Sequence, residues 1–320
     1  MNNRPRLRGT TALLQRRARA LSRHLPSAVA GDFNGVHQAR VASRRLRETV
    51  PVLAADLKGS KAGKARRKIR RLTRALGTVR ELDVTLKILD ELARRDGIPR
   101  NALEDVRGHV IAERDARREK MLERLEEVNA TKLNRRLASV ADALQQTVSE
   151  RWREVLASRL LKRAKRLSAA IAAAGHMYAP DRLHAVRIAA KKLRYALEIA
   201  AESRVPAAAP LVRTIKRAQD TLGRLHDLQV LQSHVADVQA APSSRKGTSR
   251  EGYDAIAWTL EGECRHLHAR YVAMVPALEE LCAACRATVV AQLAHPPRRA
   301  RRPLKMTLSQ RRARAAGGRG

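Results

Sequence analysis

Aromatic residues are scarce in this chain, whose 320 residues include one Phe, two Trp and four Tyr. Single-stranded nucleic acids are usually bound on aromatic stacking platforms, and so few aromatics argue against that class of binder. The three cysteines are too few for a disulfide framework, which indicates a reducing compartment. Because no apolar run approaches the ~18 residues of a membrane span, we expect a soluble, cytoplasmic protein without a membrane partner.

Acidic residues are missing from three long stretches. Residues 57–80 carry ten Lys or Arg, residues 182–197 carry five and residues 281–320 carry ten, without one acid. Over the whole chain, 66 Lys and Arg against 31 Asp and Glu give a formal net charge of +35. Such an excess destabilises a compact chain by self-repulsion, so we expect a polyanionic partner: nucleic acid, an anionic membrane surface or a phosphate polymer.

The remaining composition is typical of packed helices. Apolar residues make up 44% of the chain and are mostly Ala, Leu and Val. They recur at three- and four-residue spacing, which predicts an all-α protein with helices at 11–25, 36–55, 65–92, 102–126, 133–173, 181–202, 209–240, 252–275 and 277–293. Residues 296–320 are rich in Arg and end in Gly, and this composition predicts a disordered tail.

Two segments of the chain occur twice. Residues 36–47 (VHQARVASRRLR) and 183–194 (LHAVRIAAKKLR) are identical at five of twelve positions, at an offset of 147. Residues 69–84 align with residues 215–230 at an offset of 146, so that Gly77 matches Gly223. Two matches in the same order at nearly one offset indicate that two halves of about 145 residues are copies of one helical unit.

The first repeated segment predicts a helix with a basic side. At 100° per residue, His37, Arg40, Arg44 and Arg47 fall within about 80° of one another. The opposite side carries only apolar residues and is the predicted core side: Ala39, Ala42, Leu46, Val50 and Leu53. In the second copy the basic side carries His184, Arg187, Lys191 and Arg194. Its apolar side carries Val186, Ala189, Leu193 and Leu197. Neither repeated segment, 36–47 or 183–194, contains an acid among its basic residues, which favours anion binding.

The repeated segments resemble the CHAD family, a domain named for conserved histidines in an α-helical fold. The pieces that carry the resemblance are residues 36–47, 76–84 (LGTVRELDV), 183–198 and 222–230 (LGRLHDLQV), and it extends over about residues 10–293. It implies two pseudo-symmetric four-helix bundles with a basic channel or cleft between them that binds inorganic polyphosphate. It also implies a location at polyphosphate granules. We therefore expect one CHAD-like domain at 1–295, with halves at 10–150 and 151–293.

The resemblance assigns the binding residues by motif. One wall of the channel would carry His37, Arg40, Arg44, Arg45 and Arg47. The other would carry His184, Arg187, Lys191, Lys192 and Arg194. The second repeated segment would add Arg67, Arg70, Arg71, Arg74, Arg213, Lys216 and Arg217. Linear polyphosphate has neither bases nor sugars, so Lys and Arg in quantity suffice to bind it, with Arg offering forked donors to phosphate oxygens.

The sequence offers little that indicates catalysis. No phosphate-binding Gly-rich loop, no nucleophile motif and no E-x-E-x-K pattern of triphosphate tunnel enzymes occurs, so we expect a binder, not an enzyme, and no cofactor. Cys282 and Cys285 form a CxxC in a helical, Ala-rich context, which indicates buried thiols instead of a metal site. Histidines without a repeat partner are interpreted as incidental: His24, His109, His176, His234 and His295. The alternative function is a general, chromatin-like nucleic-acid binder, and nonspecific nucleic-acid binding through the tail stays open.

Overall fold

Ala, Leu and Val at helical spacing fold into helices along nearly the whole chain. The computed structural model describes residues 9–57, 60–146, 150–241 and 250–294, and every regular element among them is helical. This confirms the predicted all-α class. The helices are α1 (Gly9–Val29), α2 (Phe33–Leu53), α3 (Ser60–Ala75), α4 (Gly77–Leu92), α5 (Arg100–Glu126), α6 (Ala130–Gln146), α7 (Arg151–Ala174), α8 (Pro180–Glu202), α9 (Ala208–Ala240), α10 (Arg250–Ala284) and α11 (Val290–Ala294). A π-helical turn at Cys285–Val289 joins the last two, and the predicted tail lies outside the described residues.

Three predicted helix boundaries were wrong. The helix predicted at 65–92 is divided at Leu76, because α3 packs against α2 and α6, whereas α4 packs mainly against α5 and α9. The helix predicted at 133–173 is likewise two helices, α6 and α7. Conversely, α10 continues through Pro276, although proline removes a backbone hydrogen bond. Burial of Tyr271 and Leu278 on either side of the exposed Pro276 holds α10 together across this position.

The apolar sides predicted for the repeated segments face the core. On α2, all five residues of the predicted core side are buried: Ala39, Ala42, Leu46, Val50 and Leu53. On α8, Val186, Leu193 and Leu197 are buried, whereas Ala189 is half-buried and its neighbour Ala190 is fully buried. Each fully buried Leu or Val contributes roughly 1.5–3 kcal/mol relative to an exposed one. The basic sides of α2 and α8 therefore have a fixed orientation.

Contacts between helices fall into two sets. In the first, α1 and α3 each pack against both α2 and α6. In the second, α7 and α9 each pack against both α8 and α10. Helices α4 and α5 pack against each other and against α9, so they connect the two sets, and α2 contacts α7 and α8 directly. Among the described residues, no helix is long and apolar enough to cross a membrane.

Candidate anion-binding site

The turn before α2 fixes where its basic side begins. Gly31 adopts φ +77°, a left-handed conformation that glycine tolerates best. Asp32 then caps α2 by accepting a hydrogen bond from the Gly35 amide at 2.6 Å. Gly35 lies so close to α1 that a Cβ there would be 2.6 Å from the Cβ of Ser27. Together these residues anchor the start of α2 one turn before His37.

The basic sides of α2 and α8 meet near Lys191. Its pKa falls to about 7, mainly because burial removes water from the ammonium group. The positive charges that lower this pKa further come from both helices: Arg44, Arg187, Arg40 and Arg47. The pKa of Arg40 likewise falls to about 10, first through burial and then through Arg44, with weaker effects from Arg80 and Arg187. We call this group the central cluster: Arg40, Arg44, Arg47, Arg80, Arg187 and Lys191, with His37 and His184.

Several nitrogens of the central cluster are buried without a hydrogen-bond partner. They are His37 Nδ1, Arg40 Nε, Arg44 Nε and Arg80 Nη1. Buried donors are nearly always paired, and each unpaired one costs roughly 1–3 kcal/mol. Four such atoms in one cluster of positive charge make an arrangement that oxygen atoms of an anion would complete.

Arg80 is a member of the cluster that sequence reasoning missed. It lies on α4 with its guanidinium 5.0 Å from the ring centre of Phe33, the first residue of α2. Burial lowers the pKa of Arg80, while Asp83 and Asp227 oppose that shift. The signal was present in the sequence, because Arg80 belongs to the second repeated segment and aligns with His226.

Acidic groups border the cluster on the side of α4 and α9. Burial raises the pKa of Asp83 and of Asp227, although Arg80 lies near both and Arg187 lies near Asp227. The pKa of Glu81 is lowered, mainly by His226, whose Nε2 lies 3.6 Å from Glu81 Oε1. These acids therefore lie beside Arg and His side chains, as expected for residues that orient cations.

Other predicted cations lie in a separate groove. Arg45, Arg194 and Lys216 line a cavity of about 760 Å³ between α1, α2, α8 and α9. Each has an acid nearby: Arg45 lies 3.5 Å from Glu198, Arg194 donates to Glu198 at 2.7 Å, and Lys216 donates to Asp220 at 3.0 Å. These three cations are therefore paired with carboxylates, whereas Arg40 and Arg44 have buried nitrogens without a hydrogen-bond partner.

The structure does not bring the rest of the predicted set to the central cluster. Arg67, Arg70, Arg71 and Arg74 are exposed on α3, where Arg71 and Arg74 line a cavity of about 330 Å³ with Lys68 and Arg124. Arg213 and Arg217 are exposed on α9, and Arg217 lines a third cavity with Arg270. Lys192 is exposed next to Lys191, and its backbone carbonyl accepts a hydrogen bond from Arg163.

The three cysteines are buried, free thiols, as predicted for the CxxC segment. Burial raises the pKa of Cys282 to about 11 and that of Cys285 to about 12, so both stay protonated at neutral pH. A different group has metal-ligand chemistry. His109, Glu113 and His234 place one ligand atom each within 4.8 Å of one another, although the sequence predicted no metal site and interpreted both histidines as incidental.

Comparison with known proteins places the chain in a family. The family model of the CHAD domain matches residues 12–236. Among solved structures, the chain is similar to the crystal structure of the CHAD domain from the plant Ricinus communis, with a TM-score of 0.56 and 21% identity. That similarity covers 87% of this chain and 91% of the plant domain. No curated protein matches the chain. Since the family model spans well over half of the sequence, the chain belongs to the CHAD domain family.

Proposed function

We propose that this protein binds inorganic polyphosphate along the central cluster, in a basic channel between two pseudo-symmetric four-helix bundles. One bundle would be α1, α2, α3 and α6, and the other α7, α8, α9 and α10, since each set packs in a closed ring. The repeat supports this arrangement, because α2 and α8 carry its first segment. His37 lies near Arg80, and the residues that align with them in the second copy, His184 and His226, also lie near each other. The two copies therefore have equivalent residues side by side.

The observation that carries the proposal is the set of buried nitrogens at the central cluster, including those of Arg40 and Arg44, that have no hydrogen-bond partner. Lys191 is half-buried beside four arginines, an arrangement that is unfavourable in the free protein and lowers its pKa to about 7. A polyanion on the cluster would neutralise the mutual repulsion of α2 and α8. It would also offer oxygens to the unpaired nitrogens of Arg40 and Arg44.

The aromatic residues favour polyphosphate over single-stranded nucleic acid. Three of the four tyrosines and Trp152 are buried, so they offer no face on which a base could stack. Phe33 is exposed but lies against Arg80, and Trp258, which is exposed on α10, is a single ring and not a row of stacking positions. Duplex nucleic acid would still be bound through phosphates alone, and the experiment below separates it from polyphosphate.

We further propose a binding protein that acts at polyphosphate granules in the cytoplasm, and not an enzyme. Phosphoryl transfer depends on positioned metal ions that neutralise the charge of the reacting phosphates. At the central cluster, the nearby acids Asp83 and Asp227 face Arg80 and have raised pKa values through burial. Acids engaged in this way are poorly suited to hold a catalytic magnesium ion.

A competition titration tests the proposal. Long-chain polyphosphate, duplex DNA and RNA compete for the full chain near 0.15 M salt, with concentrations expressed per phosphate. We expect polyphosphate to compete at least tenfold more strongly than either nucleic acid. We also expect the logarithm of affinity to fall with the logarithm of salt with a slope steeper than about 5, by analogy with DNA. Equal competition would favour the general nucleic-acid binder.

A further inference from the structure

Two histidines and a glutamate meet where α5 packs against α9. His109 and Glu113 lie one helical turn apart on α5, and His234 faces them from α9. Their ligand atoms all lie within 4.8 Å of one another, and the imidazole rings of His109 and His234 have centroids 5.7 Å apart. Residues 109 and 234 are 125 positions apart, so only the fold brings them together.

His234 is a buried side chain with an unused ligand atom. The residue is 8% exposed, and its Nδ1 is buried without a hydrogen-bond partner. The nearest acidic oxygen, Glu113 Oε2, lies 3.6 Å from Nδ1, which is beyond hydrogen-bond distance. Buried imidazoles normally pair both nitrogens, so this atom points toward a missing partner.

Glu113 is already held in a ligand-like orientation. Its Oε1 accepts a hydrogen bond from Arg117, one turn further along α5, while its Oε2 faces His234. A hydrogen bond from outside the ligand set is the usual way in which proteins orient a metal-binding carboxylate. Arg117 therefore fixes the carboxylate and leaves one oxygen available.

The site is open to solvent on one side. His109 is exposed and gives an ion a path to the buried Nδ1 of His234.

We infer that His109, Glu113 and His234 bind a divalent transition metal ion of the zinc class, through two imidazoles and one carboxylate. This set of ligands is one that zinc accepts with a water at the fourth position. Ligand atoms of a tetrahedral centre with bonds of ~2.1 Å lie about 3.4 Å apart, so the 3.6 Å pair needs little change and small rotamer adjustments close the rest. Magnesium and calcium prefer oxygen ligands and would bind weakly.

The bound ion would link α5 to α9 at a point next to the central cluster. Arg117 holds Glu113 and also contributes to the lowered pKa of Glu81, which pairs with His226. Arg117 thus connects the proposed metal site with the acids that border the central cluster. The site itself requires only α5 and α9, so it does not depend on polyphosphate binding.

Calorimetric titration of the chelator-treated full chain tests the inference, with ZnCl₂ and MgCl₂ as ligands. We expect one zinc ion per chain and no comparable magnesium binding. His109→Ala should weaken zinc binding by more than about 100-fold, because loss of a ligand costs more than the 10–100-fold typical of changes around the ligands. His109 is exposed, so this variant keeps its fold, and circular dichroism checks that it does.

The matched control is His266→Ala, which removes an exposed histidine from α10 and should leave zinc binding unchanged. Cobalt substitution supplies a second measurement, because imidazole and carboxylate ligands give visible bands without the intense ultraviolet charge transfer of thiolates. Equal zinc affinity in the wild type and His109→Ala would overturn the inference. Thiolate bands, which would assign the metal to cysteine, would overturn it equally.

Discussion

The Nδ1 atoms of His184 and His226 lie 3.4 Å apart, so one ring donates toward the other and the two cannot both direct a proton into this contact. His226 also places its Nε2 3.6 Å from Glu81. The pKa of His184 is lowered by burial, then by His226 and Arg187. His184 therefore belongs to the electrostatic balance of the central cluster, and its protonation depends on the charge bound there.

Affinity for polyphosphate should rise as pH falls, in two separate windows. Bound phosphate raises the pKa of Lys191 from about 7, so this residue takes up a proton on binding between about pH 9 and pH 7. His37 and His184 have lowered pKa values in the free protein and should take up protons below about pH 7. One proton taken up changes affinity by at most about tenfold per pH unit.

Two variants separate these windows when affinity is measured at constant ionic strength. Lys191→Met should remove the pH dependence of affinity in the upper window and leave that in the lower window unchanged. The double replacement His37→Gln and His184→Gln should flatten the lower window alone. If the lower window persists in the double variant, these histidines position their helices and do not take up the protons.

The two walls of the proposed channel should contribute comparably to binding. Charge reversal of Arg40 and Arg44 on α2 should weaken polyphosphate affinity about as much as reversal of Arg187 and Lys191 on α8. Each contact to a desolvated phosphate is worth roughly 1.5–3 kcal/mol, so either pair should cost at least about 100-fold. The measurement is calorimetric titration with polyphosphate of one chain length. If one pair can be reversed without effect, a shared channel is wrong.

Reversal of Arg71 and Arg74 supplies the comparison on α3. These side chains are exposed and line a separate cavity, where water screens their charges. We expect polyphosphate affinity to fall by less than about tenfold. That result would restrict the phosphate-binding residues to the central cluster, although the sequence predicted a larger set. A loss as large as that of Arg40 and Arg44 would extend the phosphate path over α3.

The sequence predicted the sides of α2 and α8 but not how other helices complete them. Three- and four-residue spacing orients His37, Arg40 and Arg44 without knowledge of the fold. Arg45, one residue further on, turns about 100° away and lies beside Glu198 in another groove. Arg80 and the His109–His234 pair depend on how α4 and α5 pack against α9, which no local pattern encodes. The same holds for α10, where burial on both sides outweighs the breaking tendency of Pro276.

Replacing Lys191 should stabilise the free protein while it weakens binding. The folded pKa of about 7 is below the unfolded value of about 10.4, so the unfolded chain binds the proton first as pH falls. The resulting loss of stability begins near pH 10.4 and is complete below about pH 7. After a reduction for solvent screening, Lys191→Met should raise the free energy of unfolding at pH 7 by about 1–2 kcal/mol.

Urea denaturation at pH 7 and pH 9.5 checks this expectation, and the gain should shrink at the higher pH. The matched control is Lys192→Met, which removes an exposed charge from the next residue and should change stability by less than about 0.5 kcal/mol. A Lys191→Met variant that is less stable than the wild type would show that Lys191 makes favourable contacts in the folded protein, and that these outweigh the cost of its charge.

Arg17 should be a main electrostatic link between α1 and α8. It is 4% exposed, donates to Glu202 at 2.5 Å, and also donates to Thr49 Oγ1 and to the Arg45 carbonyl. Arg17→Met would leave a half-buried carboxylate with one partner, so we expect a loss of about 3–5 kcal/mol in the free energy of unfolding. Arg16 pairs with the same carboxylate at 2.9 Å but is 57% exposed, and Arg16→Met should cost at most about 1 kcal/mol. Chemical denaturation of both variants at pH 7 measures the difference. Since the two substitutions remove the same charge, equal losses would mean that burial adds nothing to the Arg17 pair and that the helices are joined by apolar packing alone.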